Sequence, residues 1–219
     1  MINIALDGPA GSGKSTVAKI LAKRLDILYL DTGAMYRACA LKCLKEGVEV
    51  TDGEKVDKLI ENIDLKIRYE NGAQITLLDG EDVSLAIRKA EVSMLASTVS
   101  AHRSVRLKMV EKQREIASSM DCVLDGRDIG SFVLPEAEFK FYVTARSEVR
   151  AERRYKELLA RGEKVDFNAL HEEIKQRDYN DSHRDFAPLK QADDAIVIDT
   201  SDVSAEEVAE RIIGVVKGK

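Results

Sequence analysis

The sequence is short of the features that mark secreted, membrane-spanning and nucleic-acid-coating proteins. It has no tryptophan, and only three prolines and three cysteines in 219 residues. Cys39, Cys43 and Cys122 are odd in number, and none lies in a CxxC or Cys/His pattern with metal-ligand spacing. That argues against a disulfide framework and a zinc site, and a reduced compartment is expected. No window approaches the roughly 18 uninterrupted apolar residues that cross a bilayer. The chain enters its first apolar run at Ile2 without a charged segment followed by an apolar one, so it is expected to be cytoplasmic, neither secreted nor anchored. Positive charge is not in excess: 34 Lys and Arg face 39 Asp and Glu, for a net charge of -5. A net basic field, on which the coating of nucleic acid or an anionic membrane relies, is missing. Internal repeats and low-complexity tracts are absent too, and no Asn-Lys-x-Asp motif for reading guanine occurs.

What is present is a core. With 44% hydrophobic and 33% charged residues, the chain has the make-up of a globular unit carrying small mobile insertions, and nothing suggests an obligate interface, so a monomer is expected. Ile2 to Leu6 is a mostly apolar run ending at Asp7. A glycine-rich turn follows, then Val17, Ile20, Leu21 and Leu25 at helical spacing. Comparable runs lie at residues 27–30, 122–124, 139–143 and 195–198, with helix-like stretches between them. Short apolar strands alternating with helices predict an α/β fold with a parallel sheet covered on both faces.

Two segments depart from that rhythm. In residues 63–83, Ile63, Leu65, Ile67 and Tyr69 alternate before Asn71-Gly72, and Ile75 and Leu77 before Asp79-Gly80. Asn-Gly and Asp-Gly between period-two runs predict a small antiparallel insert. Residues 146–189 are helical, interrupted near Arg161-Gly162, dense in arginine and without an apolar strand, as expected of a mobile lid. Residues 89–116 read as one long helical region, on whose periodicity Ser97 and Arg106 fall at the surface. His102, His171 and His183 share no spacing and read as solvated.

The strongest chemical signal is Gly8-x-x-x-x-Gly13-Lys14-Ser15. Its glycines let consecutive backbone N–H groups converge on phosphate oxygens at a helix N-terminus, Lys14 reaches the β- and γ-phosphates, and the Ser15 hydroxyl ligates Mg2+. The strand before it and the amphipathic helix after it supply the required context. The predicted ATP-binding stretch runs from Gly8 through Pro9, Ala10, Gly11, Ser12, Gly13, Lys14 and Ser15 to Thr16. A phosphate loop alone does not separate kinases from switches or motors. The missing guanine motif weakens a GTPase, and the length leaves little room for motor elements.

Asp31-Thr32-Gly33-Ala34-Met35-Tyr36-Arg37 places a hydroxyl, a ring and a guanidinium after the second apolar run, a plausible anion site beyond a strand end. From this segment alone Thr32 reads equally as an N-cap and Arg37 as a solvated helix residue. Asp125-Gly126-Arg127-Asp128 follows the third run, either as an acceptor-reading turn or as a structural Asp-Arg pair in an ordinary β-turn. A carboxylate there can accept from the exocyclic amine of cytosine and repels the O4 of uracil. Arg146, Arg150, Arg153 and Arg154 share one helical face, with Arg177 and Arg184 further on. Singly they read as solvated, balanced by Glu148, Glu152 and Glu157. As a set beside a nucleotide loop they suit a transferring phosphoryl group.

Together these motifs resemble the bacterial cytidylate kinases, from Ile4-Ala5-Leu6-Asp7-Gly8 through the segments at 31–37 and 125–128 to Ala187-Pro188-Leu189, over essentially the whole chain. The resemblance implies the phosphate-loop nucleoside monophosphate kinase fold, with a core of five parallel strands, an acceptor-binding domain containing the β insert, and an arginine-bearing helical lid. Its implied partition is core over 1–31, acceptor domain over 32–103, core over 104–148, lid over 149–186 and core over 187–219. It implies phosphorylation of CMP and dCMP by ATP with Mg2+. Thr32, Tyr36 and Arg37 would line the monophosphate pocket, Ser97, Arg106 and Asp128 contact the cytosine, and Arg127 meet the acceptor phosphate. Asp181 with Arg177 would reach the sugar, and Arg153, Arg177 and Arg184 would close over the phosphates. The family often has serine at position 32 and serine or glycine at positions 10 and 15; Thr32 keeps the hydroxyl. Kinases of UMP, shikimate, gluconate or dephospho-coenzyme A use similar loops, and a slowly hydrolysing nucleotide switch is the reading from another class.

Overall fold

Apolar runs that end in turn residues form the larger sheet. In the computed structural model, which describes residues 1–218, β1 is Asn3–Asp7, β2 Leu28–Asp31, β6 Cys122–Gly126, β7 Phe139–Thr144 and β8 Ile196–Asp199. They form a parallel five-stranded sheet in the order β2-β6-β1-β7-β8. β6 is buried along its whole length, whereas Ile196 and Val197 of the edge strand β8 are about half exposed, as strand position dictates. β3 (Leu65–Glu70), β4 (Ala73–Leu78) and β5 (Glu81–Asp82) form a separate antiparallel sheet. Asn71, Gly72, Asp79 and Gly80 all have positive φ, at 52°, 75°, 52° and 83°. The two turns are therefore the hairpin turns that their residues predict, and they set Leu65 opposite Leu78.

The chain divides into two compact units, one of residues 28–122 with Met1, the other of residues 2–27 and 123 onward. The second unit holds the phosphate loop. Its helix α1 (Lys14–Leu25) packs against α8 (Ala205–Lys217), which begins with a capping box between Ser204 and Glu207. Two further helices, α6 (Ser147–Ala160) and α7 (Phe167–His183), carry a small core of their own in Ala151, Leu158, Leu170 and Ile174. The Tyr155 and Phe167 rings meet edge to face at 5.7 Å beside it.

In the other unit α2 (Thr32–Lys45) packs its small, buried face of Ala34, Ala38 and Cys39 against α4 (Ala90–Val99) and α5 (Arg103–Ser119). A 3-10 turn at Ala86–Arg88, preceded by the exposed Leu85, leads into α4, and α3 (Gly53–Glu61) lies against α5. The expected single helix over 89–116 is thus two. The chain leaves helical geometry at His102, whose imidazole is hydrogen-bonded to Val50 O at 2.7 Å. Neither His102 nor His171, which is hydrogen-bonded to Ser147 Oγ, is the solvated residue expected. The three cysteines are free and buried, and burial pushes the Cys122 thiol up to about 12.

Candidate active site

The phosphate loop joins β1 to α1, and its glycines have distinct reasons to be there. A Cβ on Gly8 would lie 1.9 Å from Val143 O of β7, so only glycine allows the two main chains to touch. Lys14 is buried and donates to Pro9 O across the loop at 3.0 Å. Burial, reinforced by the Arg127 charge, lowers its pKa to about 7 against the pull of Asp125. Ser15 Oγ donates to Asp125 Oδ2 in a short hydrogen bond. A hydroxyl and a carboxylate side by side are hard oxygen donors of the kind Mg2+ takes. Thr16 is exposed at the start of α1, and Ser12 is buried, its carbonyl accepting from Thr200 Oγ1 at 2.8 Å.

Asp7, the residue before the loop, has no place in the sequence motif yet organises the site. Its two oxygens accept from Ile129 N and Gly130 N at 2.7 Å each. That pins the main chain just beyond the Asp125-Gly126-Arg127-Asp128 turn. Burial raises the Asp7 pKa to about 7, against these two donors that favour the anion.

The arginines take separate paths. Arg127 Nε donates to Asp181 Oδ2 at 2.8 Å. Burial would raise the Asp181 pKa, but Arg127 and Arg177 hold it below the usual carboxylate value. Arg184 Nε donates to Ala187 O at 2.6 Å, and its Nη2 lies 3.6 Å from Asp128 Oδ1. Arg153 donates to Thr200 through Nη1 to Oγ1 at 3.0 Å and Nη2 to O at 2.6 Å. Arg150 forks onto Asp178 at 3.0 and 2.6 Å and reaches Ala10 O of the phosphate loop at 3.1 Å. Arg146 and Arg154 pair with Asp202 and Glu157 at the surface. The basic face of α6 is therefore divided, with Arg150 and Arg153 turned inward and the other two outward.

The other unit builds a second cluster, around Asp31. Asp31, not Thr32, caps α2: its Oδ1 accepts from Ala34 N at 2.9 Å. Oδ2 accepts from Arg37 Nη2 at 2.9 Å and from Arg88 Nη2 at 2.8 Å. Burial alone would raise the Asp31 pKa, but the two arginines outweigh it and hold the carboxyl below its ordinary value. The side-chain amide of Gln74, from the β insert, takes both main-chain groups of Asp31: its Oε1 accepts from Asp31 N at 2.8 Å and its Nε2 donates to Asp31 O at 3.4 Å. Thr32 is buried at the first position of α2.

Arg106 corrects its surface assignment, since it is 1% exposed. Its guanidinium lies 5.2 Å from the centroid of the Tyr36 ring, and Nη1 donates to Ser100 O at 3.3 Å. Ser97 is half-buried, its carbonyl accepting from Ser100 Oγ at 2.9 Å.

A phosphate loop between the first strand and first helix of a parallel sheet, with a buried lysine and clustered arginines, defines a phosphate-loop kinase. Shikimate kinase from Acinetobacter baumannii is similar in fold, with a TM-score of 0.50 at 18% identity over 100% of this chain and 94% of that one. The family model described as cytidylate kinase matches residues 4–218. A cytidylate kinase of Caldicellulosiruptor saccharolyticus is 50% identical over 97% of this chain and 94% of its own. Another, of Bacillus thuringiensis, is 46% identical over 99% and 96%. The chain belongs to the cytidylate kinase family.

Proposed function

We propose that this chain transfers the γ-phosphate of ATP to CMP and dCMP, yielding ADP with CDP or dCDP. An oxygen of the acceptor's 5′-phosphate forms the new bond to the γ-phosphorus while the bond from that phosphorus to the β,γ-bridging oxygen breaks, and ADP leaves. The acceptor is already an anion, so no base is needed. Catalysis comes from position and charge. The observation that carries this reading is the buried Lys14 in a phosphate loop, in a chain of this family.

Lys14 meets the β- and γ-phosphates, and the main chain of residues 8–16 cradles them. Bound Mg2+ would supply charge neutralisation on the donor's phosphates, and Ser15 with Asp125 would hold it. Arg153, Arg177 and Arg184 are assigned to the transferring group, Arg127 and Arg37 to the acceptor phosphate, and Asp181 with Arg177 to the sugar. Thr32 and Tyr36 line the pocket. Ser97, Arg106 and Asp128 read the cytosine, with Asp128 accepting from its amine. Residues 32–103 are assigned to acceptor binding and 149–186 to the lid. A monomer acting in the cytoplasm is the matching expectation, and among the described residues no helix is long and apolar enough to cross a membrane.

The test is ADP release with CMP, dCMP, UMP, AMP, GMP and shikimate as acceptors. Rapid ADP release dependent on CMP and dCMP is expected. Turnover with shikimate instead, or slow hydrolysis indifferent to any acceptor, would sink the proposal.

A further inference from the structure

Asp7 ends β1 one residue before the phosphate loop, yet its contacts lead away from the phosphates. It is buried, and its oxygens accept from Ile129 N and Gly130 N. These are the first two main-chain donors of a five-residue π-helical turn, Ile129–Val133, which begins directly after Asp128. Donors at the start of a helical turn have no partner within it, so an outside carboxylate answers both. The Asp128 carbonyl is held by the far end of the same turn, accepting from Phe132 N at 2.9 Å and Val133 N at 3.0 Å. The peptide group that follows Asp128 is therefore gripped at both its carbonyl and its N–H. Gly130 shows how close the grip is: a Cβ there would lie 3.2 Å from Cγ and Cδ of Lys140 and 3.4 Å from Asp7 Oδ2. Lys140 stands opposite Ala5 in the β1–β7 ladder, and its Nζ is tied to Pro135 O and, at 2.7 Å, to Asp194. The turn is thus wedged between a lysine stem fixed at its far end and a carboxylate on the strand that enters the phosphate loop. Single π turns are frequent at functional sites.

We propose that Asp7 is a positioning residue for acceptor selection, which sets the main chain of Asp128 so that its carboxylate meets the cytosine amine. This rests on the assignment of base reading to Asp128 made above. Telling an amine from a carbonyl oxygen requires the carboxylate at hydrogen-bond distance and angle, and a small displacement of its main chain removes that match. A carboxylate suits the role because it accepts at both oxygens. An amide of the same size brings a donor against one of the two N–H groups. The other role open to Asp7 is a counter-charge for Lys14, whose charge also acts on it. A counter-charge would act on the donor side, and on every acceptor alike.

The experiment measures kcat/KM for CMP and for UMP, and KM for ATP, in the wild type, Asp7→Asn, Asp128→Ala and the double variant. Positioning predicts that Asp7→Asn lowers the preference for CMP over UMP by about tenfold, with KM for ATP within about twofold. In the Asp128→Ala background the same substitution should change the preference by less than about twofold, because the reader it serves is gone. Gly130→Ala leaves both carboxylates in place and presses the turn against Lys140 and Asp7. It should lower the preference by about two- to fivefold, and it carries the test if Asp7→Asn does not fold. Loss of kcat/KM in equal proportion with CMP and UMP, or a higher KM for ATP, identifies a counter-charge or a strut and overturns the proposal. A full effect of Asp7→Asn in the absence of the Asp128 carboxylate overturns it too. If the wild type shows no preference for CMP, or Asp128→Ala leaves it intact, the reading of Asp128 fails and the positioning role with it. If Asp128→Ala lowers the preference and Asp7→Asn does not, only the positioning role fails.

Discussion

The two units handle positive charge in opposite ways. In the phosphate-loop unit the inward arginines have partners in place: Arg150 forks onto Asp178 and a loop carbonyl, Arg153 onto Thr200, and Arg127 onto Asp181. In the unit of residues 28–122, Arg37 and Arg88 share one carboxylate oxygen, and Arg106 lies over a ring. The contrast teaches that one unit fixes a backbone cradle with ion pairs and hydrogen bonds that do not depend on a ligand. The other draws two guanidiniums onto one carboxylate. Substitutions of Lys14 and Arg150 should act on folding and on the donor, and those of Asp128, Asp31 and Gln74 on the acceptor.

The largest effect is expected from Lys14→Ala, which should lower kcat by about a thousandfold, as the loss of a charge aimed at developing negative charge does. Near-normal kcat would remove Lys14 from the reaction. Next, Arg150→Met breaks a buried pair, leaves Asp178 uncompensated and frees the loop carbonyl of Ala10. It should cost about 3 kcal/mol in urea unfolding and raise KM for ATP more than KM for CMP. The reverse order of the two KM values would erase the contrast between units. Asp128→Ala should lower kcat/KM for CMP by about ten- to a hundredfold and narrow its preference over UMP, the loss of a charge-assisted hydrogen bond. An unchanged preference would mean that another residue reads the base.

Smaller effects test the acceptor cluster. Asp31 has a folded pKa below its unfolded value, so its contribution to stability is present above the unfolded value and is lost as pH falls through the folded one. Asp31→Asn should therefore cost about 1 to 2 kcal/mol near pH 7 and progressively less as pH falls below the ordinary carboxylate range, measured by urea unfolding across pH. A gap that does not close in acid would show that the charge contributes nothing. Gln74→Ala removes two hydrogen bonds to the main chain of Asp31 and should raise KM for CMP by about two- to tenfold, with KM for ATP unchanged. Equal changes in both would make the insert a general stabiliser.

What the sequence revealed follows from the distance over which each feature is encoded. The phosphate loop is contiguous, and its residues lie where their order places them. Asn71-Gly72 and Asp79-Gly80 encode their turns through local φ preference, and the alternation around them fixes the register. The Asp31 cluster draws on residues 31, 37, 74 and 88, brought together by the fold, so neither Gln74 nor Arg88 carries a local signal. Periodicity sorts residues by hydropathy and so sets Arg106 at the surface, and a guanidinium seated over Tyr36 is an exception that hydropathy cannot mark. Asp7 had a weak cue, a carboxylate ending an apolar strand, but its partners Ile129 and Gly130 lie more than a hundred residues away. The break at His102 depends on a bond to Val50, equally invisible to local pattern.

The exposed residue before the 3-10 turn has an optical consequence. Leu85 is 89% exposed immediately before the turn that ends in Arg88, and the chain contains no tryptophan. A single Leu85→Trp substitution would therefore be the chain's sole indole emitter. It would stand where solvent already reaches and three residues from Arg88, so excitation at wavelengths that the six tyrosines do not absorb would report on the surroundings of Asp31 alone.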